Sequence, residues 1–344
     1  MGGSSYHDDF YHKRVASRAA TGTPTFAHHD DITTGKVAAG VHAALDPKGV
    51  IRESRDSDVH PESTAIVVMF DVTGSMQSVP VTLQKKLPQL MGLLLRKGYI
   101  KDPQIMFGAV GDYNGDRAPL QVGQFESGIE MDDDITKFFL EGGGGGSNQE
   151  SYLDAIYFTA KRTSCDCFEK RGKKGYLFVI GDEKTYDTLP KPEIAAVLGD
   201  AAKTTDGKIC ADAVQSTLTA KEVIELASEK WEIFFLIPNN TSHYRESWLG
   251  AWWEALLNPQ HVIKVADPEA ICETIGLTVG LMEGAIDGAG MRKDLADIGA
   301  SGKIVDATSA ALDGLSKSTA LAKAGTATGD LAATTGRSPA VDRL

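Results

Sequence analysis

The sequence predicts an α/β protein with a doubly wound, mostly parallel six-stranded sheet, one antiparallel edge strand and helices on both faces. Two observations support this fold class. Short, continuous apolar runs rich in β-branched residues recur along the chain, as expected for strands that are buried on both faces of a parallel sheet. Segments with helical spacing of apolar residues separate these runs, and such alternation is typical of doubly wound sheets.

The predicted strands lie between residues 65 and 267. Five are apolar runs, whereas the third alternates apolar with polar residues after a short turn, which predicts an antiparallel edge strand. In chain order the strands are AIVVMFD (65–71), IMFGAVGD (105–112), LQVGQFE (120–126), YLFVIGD (176–182), EIFFLIP (232–238) and VIKVAD (262–267).

Four segments have the spacing of amphipathic helices: residues 81–97, 150–161, 220–230 and 268–286. The first of them places five leucines on one side. The last begins with Pro268 directly after Asp267, which is the pattern of an N-cap followed by proline at the first helical position.

The two flanks of the chain differ in composition from its centre. Residues 1–62 are polar and contain most of the histidines, so we predict an extension that wraps the domain or stays loose. Residues 63–286 form the predicted α/β domain. Residues 287–344 are rich in Ala, Gly and Thr and contain no Phe, Tyr or Trp. We expect this tail, with weak helical patches at 298–305 and 312–321, to be disordered or ordered only against a partner.

Charge and cysteine content limit the classes of partner. The formal net charge is −12, from 35 Lys and Arg against 47 Asp and Glu, which disfavours general attraction to nucleic acid or to anionic lipid. No apolar run is long enough to span a bilayer as a helix, and the first residues lack the pattern of a signal peptide. Four scattered cysteines favour reduced thiols. We therefore expect a cytoplasmic protein with neither a nucleic-acid nor a membrane partner.

Polar residues follow three of the predicted strands, at the edge where open α/β sheets bind ligands. The first strand runs into DVTGSM (71–76), the second into GDY (111–113) and the fourth into GDE (181–183). The loop EGGGGGSNQE (141–150) precedes a predicted helix. Alternate residues of a tight loop can direct several oxygens into one concavity, and here these residues are Asp71, Thr73 and Ser75. Carboxylate and hydroxyl oxygens are suited to Mg²⁺ or Ca²⁺.

The segment DVTGSM resembles the DxSxS or DxTGS motif of von Willebrand factor type A domains, and the resemblance covers roughly residues 63–286. It implies a Rossmann-like domain of the intracellular bacterial or phage type with a metal-ion-dependent adhesion site. In that site Thr73 and Ser75 would bind Mg²⁺, Mn²⁺ or Ca²⁺ directly. Asp71 would anchor the loop and bind through water, Asp182 would also often bind through water, and an open position would take a partner's carboxylate.

The resemblance also implies a ligand from the Gly-rich loop. Many intracellular members of the family carry GGGDTPE where this chain has GGGGSNQE, and Thr is their ligand. Matching the final Glu150 places Asn148 at the position of that Thr and Ser147 at the preceding acid. Either side chain can supply the oxygen, and we rank Asn148 ahead of Ser147.

Several of these residues have simpler explanations. The residues of the first loop could serve merely to cap the following helix. The presence of Asp182 and of the Gly-rich loop as well favours a metal site. We interpret the remaining acids as a solvated rim and a helix N-terminus, the N-terminal histidines as chance composition, and the clustered tryptophans as core or an interaction face. The acids are Asp112, Asp116 and residues 132–134, and the tryptophans are Trp248, Trp252 and Trp253.

Two functions follow from these patterns. The first is a non-enzymatic module that binds an Asp or Glu of a protein partner through a metal ion, in a multi-protein assembly of the kind in which intracellular relatives occur. No nucleophile and base pair is evident at the strand ends, which argues against an enzyme.

The second function is that of a haloacid dehalogenase-like, Mg²⁺-dependent phosphatase or phosphotransferase. DVTGS and GDEKTYD (181–187) resemble motifs of that family. Asp71 would then be the nucleophile, Asp182 and Asp187 would hold Mg²⁺, and Lys173 or Lys174 would neutralise the phosphate. The first function is favoured, because most soluble dehalogenase-like enzymes carry a second acid where Thr73 stands.

Overall fold

A six-stranded sheet forms the centre of the computed structural model, which describes residues 6–76, 78–143, 148–204, 206–211 and 216–322. Its strands are β1 (Ser63–Asp71), β2 (Asp102–Val110), β3 (Leu120–Val122), β4 (Gly175–Ile180), β5 (Trp231–Pro238) and β6 (Val262–Val265). The order across the sheet is β6-β5-β4-β1-β2-β3. All neighbours are parallel except β2 and β3, which are antiparallel. The α/β class, with a mostly parallel six-stranded sheet, is confirmed.

The sheet is covered on both faces because its strands are apolar on both. Every residue of β1 is buried, and successive side chains of a strand point to opposite faces. Ile66, Val68 and Phe70 belong to one hydrophobic cluster, whereas Val67 and Met69 belong to the other.

Helices supply the other walls of the two clusters. They are α1 (Asp8–Thr21), α2 (Ala27–Thr33), α3 (Ser78–Lys85), α4 (Leu87–Met91), α5 (Glu130–Ile135), α6 (Tyr152–Lys161), α7 (Asp166–Glu169), α8 (Lys191–Leu198), α9 (Ala220–Ser228), α10 (Ser247–Leu256), α11 (Ile271–Met282), α12 (Gly288–Asp297) and α13 (Gly302–Ala311). Leucines of α3 and α4 pack in the first cluster, and apolar residues of α6 and α9 pack in the second. None of the helices in the described ranges is long and apolar enough to cross a membrane.

The predicted bounds of one helix and of two strands differ from those in the structure. The single helix predicted over residues 81–97 is divided into α3, α4 and a π-helical turn at Gly92–Arg96. Pro88 lies near the start of α4, where its missing N–H is tolerated as it would not be in a helix interior. The β2 and β4 strands end at Val110 and Ile180, so the Gly-Asp pairs that follow them lie in loops.

The N-terminal extension packs on the domain. Tyr6, Tyr11 and Phe26 are buried in the first cluster, and the Tyr11 hydroxyl donates a hydrogen bond to the Gln84 carbonyl at 2.9 Å. The described part of this extension therefore wraps the domain, which is one of the two arrangements expected from the sequence.

The described part of the tail differs from the expectation that it would be disordered or ordered only against a partner. Helices α12 and α13 and a helical stretch at residues 313–322 follow the domain. Aliphatic side chains at helical spacing suffice to bury this segment without aromatic residues, and those in the first cluster are Met291, Leu295, Ile304, Leu312 and Leu315. Residues 323–344 lie outside the described residues.

Candidate functional site

Asp71 ends β1 and organises the loop that follows. Its Oδ1 accepts hydrogen bonds from the backbone N–H and the hydroxyl of Thr73, at 2.7 and 2.6 Å. Its Oδ2 accepts one from the hydroxyl of Tyr152 at 2.6 Å. Burial raises the pKa of Asp71 to about 7, against the opposing effect of the hydrogen bonds from Thr73 and Tyr152. The carboxyl group therefore holds Thr73 in a fixed position below the surface.

Ser75 links this loop to the residues after β4. Its hydroxyl lies 3.0 and 2.9 Å from the two carboxylate oxygens of Asp182. Asp182 is buried and also accepts a hydrogen bond at Oδ2 from the backbone N–H of Ser242, at 2.7 Å. The His243 ring contacts the Asp182 carbonyl through Nδ1 at 3.0 Å. Loops that follow β1, β4 and β5 thus meet around one carboxylate.

The start of the Gly-rich loop packs against Gly74 of the first loop. The Gly74 N–H donates to the Gly143 carbonyl at 2.7 Å, and a Cβ on Gly74 would lie 3.3 Å from the carbonyls of Gly142 and Gly143. Asn148 is exposed and has a left-handed backbone, with φ of 56°. Its carbonyl accepts a hydrogen bond from the Lys184 N–H at 3.3 Å, so it lies beside the residues that follow Asp182. Ser147 lies outside the described residues.

Further acids surround these loops. Glu150 is buried, and its Oε2 has no hydrogen-bond partner among the described residues. Burial, followed by the charge of Asp71 and then Glu183, raises the pKa of Glu150 to about 10. Burial and the charge of Asp182 raise the pKa of Glu183 to about 7. A cation bound at this edge would relieve part of this repulsion.

The interpretation of the other acids as a solvated rim is wrong for Asp112, which is buried. Asp132 and Asp133 lie in the first turn of α5, as expected for acids at a helix N-terminus, although Asp132 is also buried. Asp112 accepts hydrogen bonds from the Tyr186 hydroxyl at 3.0 and 3.1 Å. Arg18 of α1 pairs with Asp132 at 2.6 Å. Each carboxylate is buried because a donor from a distant part of the chain reaches it.

The oxygens at this edge fit a hard divalent cation better than a transition metal. They come from carboxylates and hydroxyls, which Mg²⁺ and Ca²⁺ prefer, and Glu150 adds a buried oxygen that lacks a donor. Within the described ranges, no three His, Cys, Asp or Glu side chains are grouped to hold a metal. The predicted set contains only two carboxylates, so a site here would also depend on the hydroxyls of Thr73 and Ser75 and on an oxygen of the Gly-rich loop.

The lysines of the hydrolase alternative do not lie beside its acids. Lys173 and Lys174 precede β4 and pair with Glu283 and Glu232, whereas Asp182 follows the opposite end of that strand. A six-residue strand such as β4 is roughly 20 Å long, so neither lysine lies beside Asp71. Asp71 itself is buried and already accepts hydrogen bonds on both oxygens.

Several contacts that hold the site were not predicted from the sequence. Tyr152 supports Asp71 from α6, and a Cβ on Gly181 would collide with its ring. Ser242 and His243 fix Asp182 from the loop after β5. The polar sequence NNTSH (239–243) directly after the apolar run of β5 is the signal that could have indicated this third loop.

No family model matches the sequence, and no curated protein matches it. Among solved structures, the pilus adhesin SpaC from Lactobacillus rhamnosus GG, in its open conformation, has a TM-score of 0.43 and 11% identity, covering 68% of this chain and 31% of that chain. Proximal thread matrix protein 1 from the mussel byssus has a TM-score of 0.37 and 10% identity, covering 67% and 48%. This chain thus spans less than half the length of either protein.

Proposed function

We propose that this chain is a protein interaction module of the von Willebrand factor type A kind. A divalent cation, Mg²⁺, Mn²⁺ or Ca²⁺, would bind at the carboxyl edge of the sheet and take a carboxylate from an Asp or Glu of a partner protein. The observation that carries the proposal is the contact of the Ser75 hydroxyl with both oxygens of Asp182 at 3.0 and 2.9 Å. It joins the first loop to the acid after β4, which are two of the three parts that the motif implies; the third is the Gly-rich loop.

Each side chain has a separate role in the proposed site. Thr73 and Ser75 would hold the cation directly, and Asn148 or Ser147 would add an oxygen from the Gly-rich loop. The buried carboxylates of Asp71 and Asp182 would orient these groups and bind through water, because their own oxygens are already fixed by hydrogen bonds. The cation supplies the positive charge that an acidic partner residue needs at an otherwise negative edge.

The sheet and the cysteines support two further parts of the proposal. The order β6-β5-β4-β1-β2-β3, with only β3 antiparallel, supports the doubly wound arrangement of this domain type. The thiols of Cys165, Cys167 and Cys272 are free and buried, which supports a reducing, cytoplasmic setting.

Isothermal titration calorimetry tests the metal site. We expect the wild-type protein to bind Mg²⁺, Mn²⁺ or Ca²⁺, and the variant Asp71→Ala/Ser75→Ala to lose this binding because both the anchor and a ligand are removed. Ser78→Ala is the matched control, since Ser78 is exposed at the start of α3 and is not among the predicted ligands. Circular dichroism would verify that each variant is folded.

Two results would contradict the proposal. One is equal metal affinity in the wild type and the double variant. The other is Mg²⁺-dependent hydrolysis of a phosphate ester that disappears in Asp71→Asn, which would favour the hydrolase alternative instead.

A further inference from the structure

Lys184 lies on two tryptophan rings beside the proposed metal site. Its Nζ is 4.9 Å from the centre of the Trp248 ring and 5.2 Å from that of Trp252, within the range of a cation–π interaction. The short strand Lys184–Thr185 pairs with Gln149–Glu150, and the Lys184 N–H bonds to the Asn148 carbonyl. We call Lys184, Trp248 and Trp252 the lysine platform.

The platform is connected to Asp182 by direct contacts. The His243 ring bonds to the Asp182 carbonyl at 3.0 Å, and its centre lies 5.0 Å from that of Trp248. Beneath them the buried Trp253 donates to the Glu183 carbonyl at 3.1 Å and stacks on Phe235. The lysine platform is therefore supported by the sheet and has a fixed position relative to the proposed cation.

The ammonium group of Lys184 has no carboxylate partner among the residues that the structure describes, although Asp182 and Glu183 directly precede it in the sequence. The oxygens of Asp182 are engaged by Ser75 and Ser242 instead. Lys184 and both platform tryptophans are only half-buried. An ammonium group on a ring face keeps N–H donors for another acceptor, and holding it there in advance lowers the entropy lost when that acceptor binds.

We propose that the lysine platform binds a second carboxylate of the same partner, next to the one taken by the metal. The partner is then a protein segment with two acidic residues, one for the cation and one for Lys184. This inference rests on the proposed function. A single carboxylate on a metal ion selects weakly among proteins, whereas a second charge pair at a fixed position sets the register of the segment and rejects partners that lack it.

The test uses a phage-displayed library of random twelve-residue peptides, bound to the full chain in Mg²⁺ and released with EDTA. We expect the wild type to select peptides with two acids, and a synthetic form of such a peptide to bind Lys184→Gln about fivefold more weakly, the upper value for a partly exposed ion pair. Lys264→Gln is the matched control, because Lys264 also lies over a ring, that of Tyr244, but donates to a backbone carbonyl. Its affinity for the peptide should equal that of the wild type.

A double-mutant cycle tests whether Lys184 contacts the second acidic residue of the peptide. Changing the second acid of the peptide to its amide should weaken binding to the wild type about fivefold and should leave binding to Lys184→Gln unchanged. The peptide change alone tests the proposal on unaltered protein, even if the variant does not fold. Mg²⁺ affinity, measured by calorimetry, should be the same for Lys184→Gln and the wild type.

The possible failures are distinguishable. If EDTA releases peptides that carry a single acid, or that bind Lys184→Gln as tightly as the wild type, the platform proposal is wrong and the metal-dependent module stands. If EDTA releases no peptides at all, the proposed function and the platform proposal both fail.

Discussion

Tyr152 holds the buried carboxylate of Asp71 by a hydrogen bond of 2.6 Å, and it is fully buried at the start of α6. This bond lowers the pKa of Asp71 and so favours the charged form, against a larger opposing effect of burial. Asp71, which anchors the first loop, is therefore held in place from α6 by the hydroxyl of Tyr152. This hydroxyl takes no part in the predicted metal site.

Removing the hydroxyl tests this role. We expect Tyr152→Phe to lower the free energy of unfolding by about 1–3 kcal/mol, because a buried carboxyl oxygen loses its donor. We also expect Mg²⁺ affinity to fall about tenfold, because outer groups orient metal ligands. Tyr11→Phe is the control, since Tyr11 is buried but donates to the carbonyl of Gln84. It should lose some stability and keep full Mg²⁺ affinity in calorimetry. Unchanged Mg²⁺ affinity in Tyr152→Phe would limit Tyr152 to a structural role.

At the residue scale, sequence reasoning predicted those parts of the site that are close together along the chain. Asp71, Thr73 and Ser75 belong to one loop, and the hydrogen bonds of Thr73 to Asp71 follow from their spacing. Asp182 lies beside Ser75 because parallel strands bring their carboxyl ends to one edge of the sheet. The support from Tyr152 and Ser242 depends on how α6 and the loop after β5 pack, which the local sequence does not contain.

Among the elements, α1 is attached to the domain by a buried ion pair across more than a hundred residues of sequence. Arg18 contacts Asp132 with both terminal nitrogens, at 2.6 and 3.2 Å, and the side chain of Asp132 is fully buried. Gln84 donates to the same carboxylate at 2.9 Å. The N-terminal helix thereby closes one side of the domain.

We expect Arg18→Met to lower the free energy of unfolding by about 3 kcal/mol, because it leaves the Asp132 carboxylate buried without a cation. Arg14→Met provides the comparison, since the neighbouring pair of Arg14 with Asp133 is partly exposed and should contribute less than about 1 kcal/mol. Urea denaturation measures both changes. Adding Asp132→Asn to Arg18→Met should restore part of the loss. Equal effects of the two arginine substitutions would contradict the difference in burial.

Helices and strands could be predicted from the sequence where a single apolar pattern continued over the whole element. The nine buried residues of β1 are an example, because continuous β-branched runs leave few alternatives to a central strand. The segment that became α3 and α4 showed the limit, since its leucine spacing continued through Pro88 although the helix did not. Whether residues 8–21 pack on the domain depends on the contact of Arg18 with the distant Asp132. The local sequence therefore does not determine this packing.

For the molecule as a whole, α12 and α13 extend the hydrophobic core of the sheet domain. Leu295 and Leu312 are fully buried in the same cluster as Phe70 of β1 and Ile275 of α11. Polar contacts reinforce this packing: the Tyr99 hydroxyl donates to Asp294 at 2.7 Å. We infer that residues 288–312 unfold together with the sheet and not as an independent tail.

A cavity-creating substitution distinguishes these two modes of unfolding. Leu295→Ala should lower the free energy of unfolding by about 3 kcal/mol, because it removes packed methyl groups from a core that can only partly collapse. Leu321→Ala is the control, since Leu321 is 73% exposed and its loss should change stability by less than about 0.5 kcal/mol. Calorimetry should show one transition at a lower midpoint for Leu295→Ala. An early, separate transition with the main one unmoved would mean that the helices fold apart from the sheet.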